Sequence, residues 1–418
     1  MVQEKRISVG LDIGTTKVCC IIAQPDEKTN GMKLVGAGLV ASRGMKKGVV
    51  VNMDEMVQSV EKAVKLAEKM ANVKVKNSFV GISGDHIRGI NTQGAIAISK
   101  NGPPITQVNE ISNSEINRVL DMAKAISLPI DREIIHILPQ EYVVDDQGGI
   151  KNPVGMVGRR LEAKVHLVTG SSSSIKNITK CVEEAGIEVI GLIFRPLASA
   201  SATLEPHEKE LGIVLIDIGG STTDISVFFE GSVRHTASII IGGNNITNDI
   251  AMMLQVSLEE AEEIKLKYSS AKASMASTDL DFELPHGPEE VTRHVSEHEV
   301  SRYVEARMSE IFQLVKTEIL RSDVKNPLTF GVVLTGGGAL LRNITSLAEE
   351  VIGGPVKIGI PKGIGGVVDI AASPIYAEAI GLIQYDSIMG EDFNLGDSED
   401  TILRQVLQRV KDWFGELL

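Results

Sequence analysis

Gly10-Leu11-Asp12-Ile13-Gly14-Thr15-Thr16-Lys17 recurs later in the chain as Ile216-Asp217-Ile218-Gly219-Gly220-Ser221-Thr222-Thr223-Asp224. In both copies a hydrophobic run delivers an aspartate, then glycine, then hydroxyl residues, then a second hydrophobic run. Glycine lets the backbone turn tightly and approach a ligand with no Cβ in the way. Successive N–H groups in such a turn form a concavity for an anion. Thr and Ser hydroxyls add donors, and the Lys17 ammonium can meet a β- or γ-phosphate. An aspartate at each strand end, Asp12 and Asp217, can hold magnesium through bound waters. One such turn is an ordinary hairpin; two make most sense if similar domains clamp one nucleotide. A third glycine motif follows in Val332-Val333-Leu334-Thr335-Gly336-Gly337-Gly338-Ala339, a buried strand leading into a helix expected over Leu340 to Val351. Its backbone can lie flat against a base or ribose. Alone it would serve equally as a tight strand-to-helix turn.

Working outward, the alternation of Ile7, Val9 and Leu11 predicts a strand ending at Asp12, and Val18 to Ala23 predicts the next. Asp54 is the expected N-cap of a helix with the stripe Val57, Val60, Val64, Ala67 and Met70. Strand rhythm returns at Phe79 to Ile82, Val165 to Val168, Ile187 to Ile193, Ile213 to Ile216 and Gly331 to Leu334. Turn-rich sequence around 89–104 and 145–158 flanks a helix near Glu115 to Ala125. The expected organisation is a first core over 1–83 with 163–198, carrying an insert at 84–162. A second core covers 199–230 with 330–385 and carries an insert at 231–329. An acidic linker occupies 386–400 and a terminal helix 401–418. Gly170-Ser-Ser-Ser-Ser174 could cradle phosphate, but reads better as a strand exit and helix N-cap.

The 418 residues are 43% hydrophobic and 23% charged, which suits packed α/β cores. With a net charge of −13 nothing suggests nucleic acid as a partner, since its phosphates demand concentrated Lys and Arg. Three cysteines, two of them adjacent, make no disulfide framework and suit a reduced cytosol. Neither a signal peptide nor a run of roughly 18 apolar residues is expected. His294-Val-Ser-Glu297-His298 matches H-x-x-E-H, a zinc pattern, but its charged, exposed setting favours a helix start instead. Cys19 and Cys20 read as a buried strand pair.

At 401–418, Ile402, Leu403, Val406, Leu407, Val410, Trp413, Phe414, Leu417 and Leu418 share one helical face. Arg404, Gln405, Gln408, Arg409, Lys411 and Asp412 occupy the other. Trp413 suits a headgroup-level anchor. Basic and acidic residues nearly balance, so membrane binding would rest on apolar burial. Docking on its own domain or on a partner's coiled coil is the alternative.

These motifs, in this order, resemble the superfamily of actin, the large heat-shock chaperones and hexokinase. Within it the chain resembles the FtsA family of bacterial cell-division actin homologues. Asn152-Pro-Val-Gly-Met-Val-Gly158, Glu162-Ala-Lys-Val-His-Leu-Val-Thr-Gly170 and Leu215-Ile-Asp-Ile-Gly-Gly220 carry the resemblance, which spans essentially the whole chain. It implies an actin-like α/β fold, two similar domains each with an inserted subdomain, closing on ATP and Mg2+. Gly14, Thr15, Thr16, Lys17, Gly219, Gly220, Ser221, Thr222 and Thr223 would then hold phosphates. Gly336, Gly337, Gly338 and Ala339 would meet the adenosine, and Glu262 and Lys265 the ribose and base. The resemblance further implies head-to-tail polymers, tethering of the tubulin-like FtsZ to the inner face of the cytoplasmic membrane at the division site, and contacts with other division proteins. Arg307 and Glu310, on the second insert, would touch FtsZ. Small-molecule kinases and chaperone or pilus-assembly ATPases share the fold, but the tail favours the tether. One departure matters: Leu192-Ile-Phe-Arg195-Pro-Leu197 has arginine where hydrolysing relatives place a water-positioning Glu or Gln. A guanidinium cannot act as a base, so slow hydrolysis at most is expected.

Overall fold

A computed structural model of the chain describes residues 7–26, 31–98, 109–284, 294–322, 324, 329–367, 370 and 372–389. The amphipathic segment 401–418, with its membrane-facing residues, and the acidic stretch from 390 onward lie outside the described residues. Residues 386–389, read from the sequence as the start of that linker, instead continue the helix Ala377–Met389.

Ser8–Ile13 is buried at every residue because it lies inside a sheet. It pairs antiparallel with Lys17–Asp26 and parallel with Asn77–Ile82. The sheet runs Glu188–Phe194, Asn77–Ile82, Ser8–Ile13, Lys17–Asp26 and Gly31–Ala41, with Ile364–Gly365 at the edge. A second sheet runs Val356–Ile358, Val332–Thr335, Ile213–Ile218, Thr223–Phe229 and Ser232–Ile239. In both, an antiparallel three-stranded meander is extended by two parallel strands beside its first strand. The recurring sequence therefore marks a recurring topology, with each Asp-Gly turn joining the first two strands of its meander.

A separate four-stranded antiparallel sheet (Arg88–Ala97, Arg160–Ser171, Arg132–Val144, Gln147–Ile150) carries the helix Asn113–Lys124 on its own core. Ser112 and Glu115 close a capping box at that helix's start. The helices Gly243–Leu254, Leu258–Tyr268 and Glu297–Leu320 cover the second sheet. Val304, Met308, Ile311, Val315 and Ile319 of the last are buried, as their spacing requires. Each fully buried aliphatic side chain there stabilises by roughly 1.5–3 kcal/mol.

Three local expectations are corrected. The first helix spans Met53–Ala71 and is capped by Asn52, whose side chain accepts from the Glu55 N–H. Asp54 lies inside the first turn, and the buried stripe is Met56, Val60, Ala63, Val64 and Ala67, leaving Met70 exposed. The triple glycine does not run directly into a helix. It forms a 3-10 turn over Gly337–Leu340, and the left-handed Asn343 then redirects the chain into Ile344–Ile352. Finally, Ala377–Met389 packs on the first sheet, against Cys19, Ile21 and Ala23, and not on the second core to which 330–385 is assigned above. Gly381 makes this close packing possible, since a Cβ there would strike Ala198 of the buried helix Arg195–Thr203. Small residues along both helices let the chain return to its first half.

Candidate functional site

Gly14 N–H donates to Lys17 O at 2.9 Å, and Gly219 N–H donates to Thr222 O at the same 2.9 Å. The two turns thus close with one hydrogen-bond pattern. They also meet: a Cβ on Gly220 would stand 2.2 Å from Thr16 Cγ2. Beside them lies a cavity of about 340 Å³, within the usual range for small-molecule sites. Gly14, Thr15, Thr16, Lys17, Gly219, Gly220, Ser221 and Thr222 line it, with Gly337 and Gly338 opposite. Glu262 and Lys265 line it too, joined to each other at 2.6 Å. Lys265 Nζ also donates to Thr247 Oγ1 and Gly243 O. Leu266, Leu340 and Leu341 add an apolar side that suits a flat base.

Asp12, Asp217, Thr223, Gly336 and Ala339, also expected at the site, are not among the residues that line the cavity. Gly336 is obligatory at its position: its φ is +80°, and a Cβ would stand 2.3 Å from Asp217 Oδ1. Asp12 is fully buried and pairs with Lys17 Nζ at 2.8 Å and Arg195 Nε at 3.8 Å. Burial opposes its charge, but Lys17 and Arg195 outweigh burial and hold its carboxyl below the usual range. Asp217 accepts from Ser199 Oγ at 2.7 Å, and burial raises its carboxyl against the pull of Arg195. Glu378 pairs with Arg195 Nε at 2.5 Å; burial lifts it well above the usual range, with Asp12 and Asp217 adding to that. Asp224 accepts from Ser83 Oγ at 2.6 Å.

This donor set does not fit a magnesium ion. Asp12 is paired with Lys17 and Arg195, and Asp217 accepts from Ser199, so a magnesium ion would have to compete with the chain's own cations and hydroxyl for either carboxylate. The cavity does fit a phosphorylated ligand, because two glycine turns and four cations converge on it.

Arg307 is held bidentately by Asp249, Nε to Oδ2 at 2.6 Å and Nη2 to Oδ1 at 2.9 Å, and also pairs with Glu310. It therefore ties two helices of the second insert together. The H-x-x-E-H pattern breaks up: His294 is on a short strand, and Glu297 is buried and paired with Arg342. Among the described residues no three His, Cys, Asp or Glu side chains could share a metal. Burial pushes the Cys19 thiol up to about 12, as expected of an inert strand residue. Sequence reasoning missed Glu378, Ser199, Ser83 and two residues of the cavity lining, Arg342 and Asn244, whose Nδ2 donates to Ser221 Oγ. None carries a local signal, since each reaches the site through tertiary packing.

Family models match at residues 214–381, for the cell division protein FtsA, and 84–169, for the SHS2 domain inserted in FtsA. The chain is 41% identical to the cell division protein FtsA of Pseudomonas aeruginosa, covering 99% of this chain and 98% of that one. With the FtsA of Neisseria meningitidis serogroup B the identity is 38%, over 98% of each chain. Among solved structures, a chain of the PilM-PilN type IV pilus biogenesis complex matches with a TM-score of 0.64 at 16% identity, over 90% of this chain and 97% of that one. MreB5 of Spiroplasma citri bound to ADP gives 0.56 at 16% identity, over 94% and 99%. The MamK double helical filament gives 0.52 at 12% identity, over 91% and 99%. These likenesses are of fold: the chain has the actin-like ATPase fold.

Proposed function

The chain belongs to the FtsA family of cell-division proteins, and we propose that it binds ATP, polymerises, and tethers FtsZ to the inner face of the cytoplasmic membrane at the division site. The observation that carries the nucleotide part is the meeting of two like-built glycine turns, Gly14–Lys17 and Gly219–Thr222, over one cationic cavity. Phosphates would take the N–H groups and hydroxyls of both turns. The adenosine would lie along Gly337 and Gly338, its ribose toward Glu262 and Lys265. Turnover would be slow: Glu262 is the one carboxylate of the lining, and Lys265 occupies it.

Among the described residues no helix is long and apolar enough to cross a membrane. Attachment would fall to the amphipathic face of 401–418, where Trp413 and Phe414 bury in the headgroup region. One short helix binds weakly; copies arrayed on a head-to-tail polymer would multiply that affinity through effective concentration. The second insert, with the half-exposed Glu310 beside Arg307, would receive FtsZ, and other division proteins would dock elsewhere on the polymer. Liposome co-sedimentation tests the tether. The full chain should pellet with vesicles, more completely with ATP, and a chain ending at Asp400 should stay in the supernatant. Equal sedimentation of both chains would remove the tether.

A further inference from the structure

Arg195 opens the helix Arg195–Thr203 directly below the two turns, with its side chain 8% exposed. Its Nη2 lies 3.8 Å from where a Cβ on Gly14 would stand, and 3.9 Å from the same point on Gly219. The guanidinium is therefore centred between the turns and forms part of the cavity wall. Both of its ion pairs, to Asp12 and Glu378, run through Nε. Among the described residues neither Nη1 nor Nη2 has a hydrogen-bond acceptor. A buried guanidinium stays charged and offers its remaining N–H groups as a fork that matches phosphate oxygens.

The wider charge balance points the same way. The cavity lining carries four cationic side chains (Lys17, Arg195, Lys265, Arg342) and one carboxylate, Glu262. The acidic groups nearby are not part of that wall, each already engaged. Lys17, Lys265 and Arg342 each meet a carboxylate, so the Nη edge of Arg195 is the part of that wall that turns unengaged charged donors toward an anion.

We propose that Arg195 is a phosphate-binding residue that serves as the built-in counter-cation of the bound nucleoside triphosphate, so that binding needs no divalent metal. Its Nη edge grips phosphoryl oxygens between the Gly14 and Gly219 turns, while Glu378 and Asp12 hold its Nε end in place. This rests on the nucleotide reading above, and it reassigns the part expected of magnesium to the chain itself.

The test is ATP affinity of the full chain, by titration with magnesium and with EDTA. For the native protein the two affinities should agree within about threefold, as expected where the anion is met by fixed cations. Arg195→Gln should lower affinity in EDTA by about tenfold or more, the loss a charged hydrogen bond carries, with magnesium restoring part of it. Arg195→Gln leaves Glu378 buried without its partner, so Arg195→Gln with Glu378→Gln is made alongside and should show the same loss. The comparison of buffers on the native chain depends on no variant. Binding in magnesium that falls more than about tenfold in EDTA would overturn the counter-cation while keeping the nucleotide site. Equal affinity of the native chain and the double variant in EDTA would also overturn it. Absence of binding in both buffers would sink the nucleotide reading and this inference together.

Discussion

A Cβ on Gly336 would collide with the Asp217 carboxylate, whereas a Cβ on Gly337 would meet nothing within 4 Å. Gly336 also holds φ at +80° with ψ at 177°, a region nearly confined to glycine that costs another residue roughly 1–3 kcal/mol before any clash. Two neighbours in one motif thus separate stability from binding. Gly336→Ala should destabilise the chain by about 2 kcal/mol or more in denaturant titration. Gly337→Val should leave the unfolding midpoint nearly unchanged yet reduce ATP affinity at least about tenfold, because its side chain occupies the space the base would use. An intact midpoint with Gly336→Ala, or intact affinity with Gly337→Val, would show the motif is placed wrongly. The three glycine motifs were legible because each is local: strand, turn and ligand-facing backbone are consecutive residues. Arg195 was legible only as a missing base. Its partners Asp12 and Glu378 are distant in sequence, so nothing in the segment Leu192–Leu197 discloses the pocket it fills.

Elements that bury one periodic face, such as Glu297–Leu320, could be read directly, whereas contacts between elements could not. Polar pairs join the inserted four-stranded sheet to the edge strand Ser232–Ile239 of the second sheet. Gln140 donates to Val233 O at 2.9 Å, and His166 Nε2 lies 2.8 Å from Thr236 Oγ1. His166 Nδ1 is 2.7 Å from Asn91 Oδ1, which can only accept, so Nδ1 carries the proton and Nε2 accepts from Thr236. Burial lowers His166 to about 3 and His136 to about 4. His136 Nε2 is likewise fixed as an acceptor, taking the Phe194 N–H at 2.8 Å. Both imidazoles are neutral when folded and protonate near 6.5 when unfolded. Between those values the unfolded chain holds more protons, so stability is full above about pH 6.5 and falls as pH drops toward 4. The slope should approach about 1.4 kcal/mol per pH unit for each histidine. Denaturant midpoints measured across this window should flatten in His166→Gln; an unchanged slope would mean His166 takes no part.

Across the whole molecule the two meanders are separate sheets that share a hydrophobic core, in which Leu11 and Val80 of the first cluster with Ile213, Leu215 and Val333 of the second. Two helices at the base, Arg195–Thr203 and Ala377–Met389, pack together, and the turns above touch where Gly220 meets Thr16. Lys17 adds a hydrogen bond to the carbonyl of Ile375, just before the last described helix. Between these ties is the cavity, lined by Lys17, Arg195, Lys265 and Arg342, each paired with a carboxylate of the chain. A nucleotide spanning both turns would therefore bind the folded state alone and act as a further tie between the sheets. Linkage then sets the size of the effect: at an ATP concentration about a hundred times Kd, unfolding should cost about 2.7 kcal/mol more. It should rise by about 1.4 kcal/mol for each further tenfold of ATP. Denaturant unfolding of the full chain over a series of ATP concentrations would measure this. Protection from hydrogen exchange should grow in both turns together, because one ligand grips both. If protection grew in the Gly14 turn and not in the Gly219 turn, the nucleotide would be held by one sheet only. The repeat would then record a shared ancestry of the two halves, with no shared ligand.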